Sequence, residues 1–556
     1  MGAIYIIGAL MAFVLGAYIL GVRDARNAEK RLIAALKKNW GNSPKREYKA
    51  DDLDHLKGYY DNHREGFQID DTSWNDLNMD GVFSRMNYCL SATGEEYLYY
   101  MLRTPKQDND FEEAEKKIRF FSENNEARIK SQVTFGKIGR GSRFSVYDYL
   151  QLLEGVQDTS NAKHYAMLAA MAVSLVLCFV SFGLGLALFI CLACANIIMY
   201  FSLKGKIDPY ISTYAYVLKM LSATKYFNDT KYPEISDDIK EMEESCKRLK
   251  SFSSGSGIVM STSGMSSGNP GELIIDYVRI LTHLDIIKFN KMYRELMDKR
   301  ADLDNIITVM GRLEAYISIA CYRESVKNNY CIPEFSGKGI EADDMLHPLI
   351  ENAVANSIHA KNGVLLTGSN ASGKSTFLKM VGINAVLAQS VHTVLAKSYK
   401  APLFRVYSSM ALKDDIYEGD SYYIVEIKSM KRIIDAAANE GNPVLCFVDE
   451  VLRGTNTIER IAASTEMLKY LTKAGVNCFA ATHDIELTVL LKGLYDFYHF
   501  EGDVSDNDVH FDYKIKEGPA TNRNAIKLLS VLGYDNNLVD DAQKLADKFL
   551  TTGVWE

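Results

Sequence analysis

The chain has 556 residues, with 63 Lys and Arg against 71 Asp and Glu and a formal net charge of −8. That length exceeds one compact core and predicts two to four domains at roughly 100–200 residues each, and the charge balance excludes avid polyanion binding by bulk attraction, so any nucleic-acid contact must be local or topological. The nine cysteines have no framework spacing, and Cys191 and Cys194 lie in an apolar run, which excludes a disulfide scaffold or a zinc centre and fits a reducing cytoplasm.

The first predicted element is a membrane anchor over residues 1–22. Ala3–Val22 is uncharged, and about 20 residues at 1.5 Å rise match a hydrocarbon core of roughly 30 Å. Basic residues follow the run (Arg23, Arg26, Lys30, Arg31) instead of preceding it, unlike a cleaved signal peptide. Ile6 stands where a myristoylation motif wants Ser or Thr. Residues 23–161 are charged, with helical Glu and Lys spacing clearest over Phe111–Arg128, and predict the first part of a helical core. Residues 165–203 carry no charge and break near Ser181–Gly185. Without the polar stripe of a soluble helix pair, they predict a transmembrane hairpin over 162–204. Lys163, Lys204 and Lys206 join Arg23–Arg31 on one side only, so three transmembrane helices are expected, with the N-terminus outside and the soluble segments in the cytoplasm, a multi-pass protein of the cell membrane. Residues 205–335 predict the second part of the all-α core or lever (207–249 and 272–322), interrupted by a Ser/Gly-rich loop or linker at 251–271.

From 336 to 556 short β-branched runs (363–368, 443–450, 476–484) alternate with helices, which predicts an α/β domain on a parallel sheet. Gly368-Ser369-Asn370-Ala371-Ser372-Gly373-Lys374-Ser375 fits GxxxxGK[ST] between a strand (Val364–Leu366) and a helix opening at Thr376 and running to Val386. In that context backbone N–H groups and the helix N-terminus cradle the phosphates of ATP, Lys374 supplies a point charge, and the Ser375 hydroxyl can ligate Mg²⁺. Val444–Glu450 is a buried-strand pattern ending in two acids. Asp449 is placed to hold the magnesium shell and Glu450 to accept a proton from the attacking water. Ala480–Asp484 is a second strand end, with His483 placed to donate a hydrogen bond to the γ-phosphate. Glu450, His483 and Lys374 are the candidate catalytic residues of an ABC-type P-loop ATPase that hydrolyses ATP to ADP and phosphate.

These words together resemble the MutS family of DNA mismatch-recognition ATPases. The likeness rests on DEVLRGTNTIE at 449–459, ATHDIEL at 481–487, TGSNASGKSTFLK at 367–379 with its Asn370, and the lead-in residues His347-Pro348-Leu349 and Asn356. EGDSYYIVE at 418–426 is similar to the family's signature loop, GPATNRNAIKLLSVLGY at 518–534 to its C-terminal piece, and TGEEYLYYMLRTP at 93–105 to the start of its helical core. The resemblance implies a homodimer in which Ser421 completes the partner's ATP site in trans, and DNA as the ligand on which the helical arms clamp, in mismatch repair or related DNA surveillance. Mismatch readers of the family wedge an aromatic residue into the duplex from an N-terminal domain. Here a membrane span and a short charged segment stand in that place, with no Phe-x-Glu wedge near the N-terminus. The alternative reading is a membrane-tethered mechanical ABC ATPase that acts on a protein or lipid without gripping DNA. A transporter fits poorly, because three spans per chain carry no intramembrane charge to mark a path.

Overall fold

A computed structural model describes residues 2–555 except 45, 47, 49–52, 141–144, 155–159, 229–231, 261–276, 369–371, 411–421, 453–454, 505–508, 521–525, 527–528 and 530–532. Helix α1 (Gly2–Asn39) continues without a break from the apolar run into the charged one. Its charged half lies along the helix at Asn125–Ile138, with Glu29 paired to Lys137 at 3.0 Å and Leu32 against Gly136. The single helix expected over Phe111–Arg128 is instead two, Glu112–Glu123 and α3 (Asn125–Ile138), because the Asn124 side chain leaves the first helix and caps the second by accepting from Ala127 N.

The heart of the helical region is the crossing of α2 (Ala92–Arg103) with α7 (Arg300–Ser325). Gly311 permits it: a Cβ there would lie 2.7 Å from Tyr97 Cβ and 2.8 Å from the Thr93 carbonyl. Between these helices in sequence come α4 (Ala162–Val180) and α5 (Phe182–Asn228), which form the expected hairpin with its turn at Ser181. The second hairpin helix continues beyond the 162–204 hairpin to Asn228, carrying the apolar segment straight into the core. One expectation is corrected: among the described residues two helices, not three, are long and apolar enough to cross a membrane, at Ala162–Val180 and Phe182–Asp208; the side chains of residues 2–18 lie outside the described residues. The outer surface of the hairpin is bare, with Phe179 93% and Val180 82% exposed. The Ser/Gly-rich stretch begins with short helical turns at Lys250–Ser253 and Gly257–Met260, not a loop, and α6 (Leu284–Asp298) then leads into α7.

The C-terminal region contains β1 (Glu334–Phe335), β2 (Ile340–Met345), β3 (Asn356–Ala360), β4 (Gly363–Gly368), α8 (Lys374–Val391), β5 (Ser398–Ala401), β6 (Arg405–Ser409), α9 (Tyr422–Ala438), β7 (Val444–Asp449), α10 (Thr457–Lys473), β8 (Asn477–Ala481), β9 (Tyr495–Val504), β10 (Val509–Glu517) and α11 (Asn536–Thr552). The larger sheet has the order β10-β9-β4-β8-β7-β6, parallel from β9 through β6, with β10 antiparallel on its edge. The purely parallel expectation misses that edge strand and a second, mixed sheet in the order β1-β5-β2-β3. Buried apolar residues run without interruption from Trp74 and Leu98 through Val309 to Phe377, Val381 and Phe447, so the helical region and the sheet share one core. Polar links reinforce it: Asp76, 2% exposed, accepts from Ser408 Oγ (2.7 Å) and Met410 N (2.9 Å), and Arg323 holds Glu115 through two hydrogen bonds of 2.9 and 2.5 Å at the C-terminal end of α8.

Candidate active site

Strands β4, β8 and β7 are consecutive and parallel, so their C-terminal ends open on one edge of the sheet, where such folds bind ligands. Each end carries a predicted motif. After β4 the chain turns into α8 through the phosphate-loop sequence. Gly368 has φ +142°, and a Cβ there would lie 2.7 Å from the Phe500 carbonyl, so only glycine fits. Ser369, Asn370 and Ala371 lie outside the described residues. Ser372 is buried, and its Oγ has no partner among the described residues. The helix predicted from Thr376 to Val386 is longer, Lys374–Val391, so Lys374, Ser375 and Thr376 form its first turn. Lys374 is 5% exposed, and its Nζ donates to the Gly368 carbonyl at 2.8 Å.

The three strand ends touch one another. Ser375 Oγ donates to Asp449 Oδ2 at 2.5 Å, joining the phosphate-loop helix to β7. Glu450 Oε1 is 3.0 Å from His483 Nε2, and that nitrogen is 3.4 Å from Lys374 Nζ. Because a carboxylate only accepts, the Glu450 contact makes Nε2 the protonated nitrogen of His483. Asp449 remains in register with Ala481, whereas Glu450 takes φ +62° and ends the strand, so the adjacent acids leave the sheet in different directions. A left-handed non-glycine residue costs about 1–3 kcal/mol and survives where its surroundings over-determine it. Here Glu450 N donates to the Ala481 carbonyl at 2.9 Å, and Leu452, also left-handed at φ +60°, donates its N–H to the buried Glu426 Oε1 at 2.5 Å.

Sequence reasoning missed that last bond and a second support. Arg460, in the first turn of α10, holds Asp484 through hydrogen bonds of 2.9 and 2.5 Å and so fixes the residue after His483. Neither link has a local signal, since the partners stand 26 and 24 positions apart. The lead-in residues are structural. His347 accepts from Leu349 N at 3.1 Å and stays neutral, its pKa pushed down to about 4 by burial and by Lys379 and Arg85. Asn356 bridges to β10, donating to the Tyr513 carbonyl and accepting from Ile515 N. Ser421 lies outside the described residues, as do 453–454 of the DEVLRGT word.

Residues 364–550 match the family model of MutS domain V. The chain is 28% identical over 281 residues to DNA mismatch repair protein MutS 2 of Haloarcula marismortui, covering 45% of this chain and 29% of that protein. It is 27% identical over 298 residues to DNA mismatch repair protein MutS of Lactobacillus delbrueckii subsp. bulgaricus, at 51% and 34% coverage, and 28% identical over 270 residues to that of Thermotoga maritima, at 47% and 33%. The chain thus spans about a third of the length of these curated relatives. The matches support kinship with the MutS family over about half of the chain.

Proposed function

We propose that the chain is a membrane-anchored, MutS-like ATPase that sandwiches two ATP molecules between two copies of itself and uses hydrolysis to clamp its helical arms on DNA. The observation that carries the reading is the row of contacts from Lys374 through His483 to Glu450, beside the Ser375–Asp449 pair, at one sheet edge. Two hard oxygen donors, Ser375 and Asp449, suit Mg²⁺, and the partnerless Ser372 hydroxyl in a Gly-framed loop suits a phosphate oxygen. Bound Mg²⁺ would neutralise charge on the phosphates. Lys374 adds a fixed positive charge, Glu450 takes the proton of the attacking water, and His483 holds Glu450 in place until ATP binds, when its Nε2–H would turn to the γ-phosphate. The signature segment with Ser421 would complete the partner's site, the helix N-terminus of α9 offering its N–H groups to phosphate.

The names of the relatives favour DNA as the ligand over a protein or lipid partner, and the bare hairpin favours attachment to the cell membrane. Purified Lys374→Ala and Ser421→Arg chains, each inactive alone, should regain ATPase activity when mixed, with a maximum near equal proportions, because one composite site then has both intact halves. A flat line at background would end the sandwich. Retention of detergent-solubilised protein on DNA-cellulose should change with ATP; absence of retention in either state would remove DNA and leave the protein- or lipid-directed alternative.

A further inference from the structure

Residues 277–282 are helical and end at His283, whose φ of +54° turns the chain into α6. Their polarity is inside out. Tyr277, Val278, Leu281 and Leu284 face outward at 61, 45, 38 and 41% exposure, while Arg279 and His283 are 6 and 1% exposed and face the protein. A short helix in water shows the reverse pattern. The stub lies beside the hairpin: Asn196, within the apolar part of α5 and 1% exposed, donates to the carbonyls of both Ile280 and Leu281 at 3.0 Å. Those carbonyls belong to the last turn of the stub, which in water would be solvated; in hydrocarbon each must find a protein donor at a cost of several kcal/mol if it fails. An asparagine inside a span, serving a neighbouring helix end, meets that demand.

A polar seam marks the base of the stub. His283 Nε2 is 3.1 Å from the Asn196 carbonyl, so it donates there, and its Nδ1 accepts from His164 Nδ1 at 2.8 Å. Two residues further along, Asp285 accepts from Tyr200 (2.9 Å) and Lys204 (3.0 Å). His164 and Lys204 lie beside the basic flank of the hairpin, at the level where interfacial residues belong. The described part of this helix, six residues outward from His283, covers roughly 9 Å at 1.5 Å per residue, a depth within one leaflet of a roughly 30 Å core.

We propose that residues 277–282 form a third membrane-contacting element, a helical stub seated among the acyl chains of the cytoplasmic leaflet, so that the lever helix α6 starts at the membrane interface. The stub is bound to α5 at Asn196, whose neighbours Ile197 and Ile198 are exposed, and lipid is the occupant that covers both elements at once. The inference rests on the reading of 162–204 as a membrane hairpin. The consequence is mechanical: a movement of α6 and α7 would be resisted, or reported, by the membrane.

The test uses the full chain in phosphatidylcholine vesicles, with Val176→Trp, Leu281→Trp and Ser251→Trp compared against the three native tryptophans, and with lipids brominated near the headgroup or deep in the chain. The emission added at 281 should be quenched, more by shallow than by deep bromines, and that added at 251 should not. Quenching at 176 but not at 281 overturns the stub and leaves the hairpin standing. Failure at 176 overturns the hairpin itself. Emission at 281 that resists both brominated lipid and aqueous iodide means that a second copy of the chain covers the face, which also overturns the proposal.

Discussion

The sheet edge that carries the candidate chemistry and the crossing of α2 with α7 both draw ionisable groups out of water, but they do so to opposite ends. At the crossing, Glu95, Glu96 and Glu314 are each 1% exposed. Glu314 accepts from the N–H groups of Leu90 and Ser91 (2.5 and 3.2 Å), and Glu96 accepts from Tyr59 N and Ser145 Oγ (3.1 and 2.8 Å). Burial pushes Glu96 up to about 8 and Glu314 up to about 7, so Glu96 largely keeps its proton at neutral pH. At the sheet edge Glu450 and His483 remain 28 and 37% exposed and meet Lys374, one ionisable group against another across three separate strand ends. Carboxylates closed in by backbone donors build structure. Carboxylates left half open and facing other ionisable groups are free to exchange protons and bind ions.

The largest effect expected from that contrast is on turnover. Glu450→Gln should lower kcat by about 10²–10⁴-fold, the size of a general-base contribution, with ATP binding nearly intact. The same substitution at Glu96 should leave kcat close to wild type, since an amide resembles the protonated acid already present. Near-normal hydrolysis by Glu450→Gln, measured by steady-state phosphate release beside fluorescent-nucleotide binding, would erase the distinction between the regions.

Next in size is the joint between them. Arg323 is 7% exposed and holds Glu115, Thr393 Oγ1 (2.9 Å) and the His392 carbonyl (2.9 Å). Burial would raise the Glu115 carboxyl, but its bonds to Arg323 and His392 outweigh that and hold it down at about 2. Arg323→Met should cost about 3–5 kcal/mol, because it strands a buried charge. Thermal unfolding in detergent should move accordingly, while turnover per folded molecule well below the melting range stays within a few-fold. A loss of turnover as large as that of Glu450→Gln would mean that the joint takes part in the chemistry.

A smaller effect appears in pH. For Glu96 the folded value of about 8 lies above the ordinary 4.5, so between those values the folded chain binds more protons than the unfolded one, and stability falls as pH rises through that window. Glu96→Gln should flatten the decline. An unchanged pH profile in that variant would show that Glu96 ionises without cost.

What the sequence made legible follows the same line. The phosphate loop, the Asp449-Glu450 pair and His483 stand at the ends of short apolar runs, so local pattern locates each of them and predicts that the runs are neighbouring parallel strands. The supports do not stand in any local pattern. Arg460 reaches Asp484, and Glu426 reaches Leu452, only after the sheet has formed, and the left-handed turn at Glu450 is held by the bond of its N–H to the Ala481 carbonyl and by the Glu426–Leu452 bond beside it. The helical region was legible as helical, yet the approach of its two central helices depends on glycines, among them Gly311, which reads in sequence as a weak point of α7. The continuation of α5 to Asn228 was hidden because the composition changes at Lys204 while the backbone does not.

The smallest prediction compares one substitution in both regions. Asn456 caps α10 by accepting from Glu459 N at 3.0 Å, and Asn124 caps α3 by accepting from Ala127 N at 2.9 Å. Replacing either by Ala should cost about 1 kcal/mol, since each loses a single side-chain bond to an orphan N–H. The functional outcomes should differ. The first turn of α10 contains Arg460, whose grip on Asp484 sets the residue next to His483, so Asn456→Ala loosens the sheet edge as it frays the helix. The first turn of α3 contains Arg128, which donates to the Phe121 carbonyl and stacks on Trp40, within the helical region. Asn456→Ala should therefore lower kcat by a few-fold at unchanged nucleotide affinity, and Asn124→Ala should leave kcat alone at the same loss of stability. Equal kinetic effects from the two caps would mean that turnover follows global stability, and the sheet edge would then have no privileged support in α10.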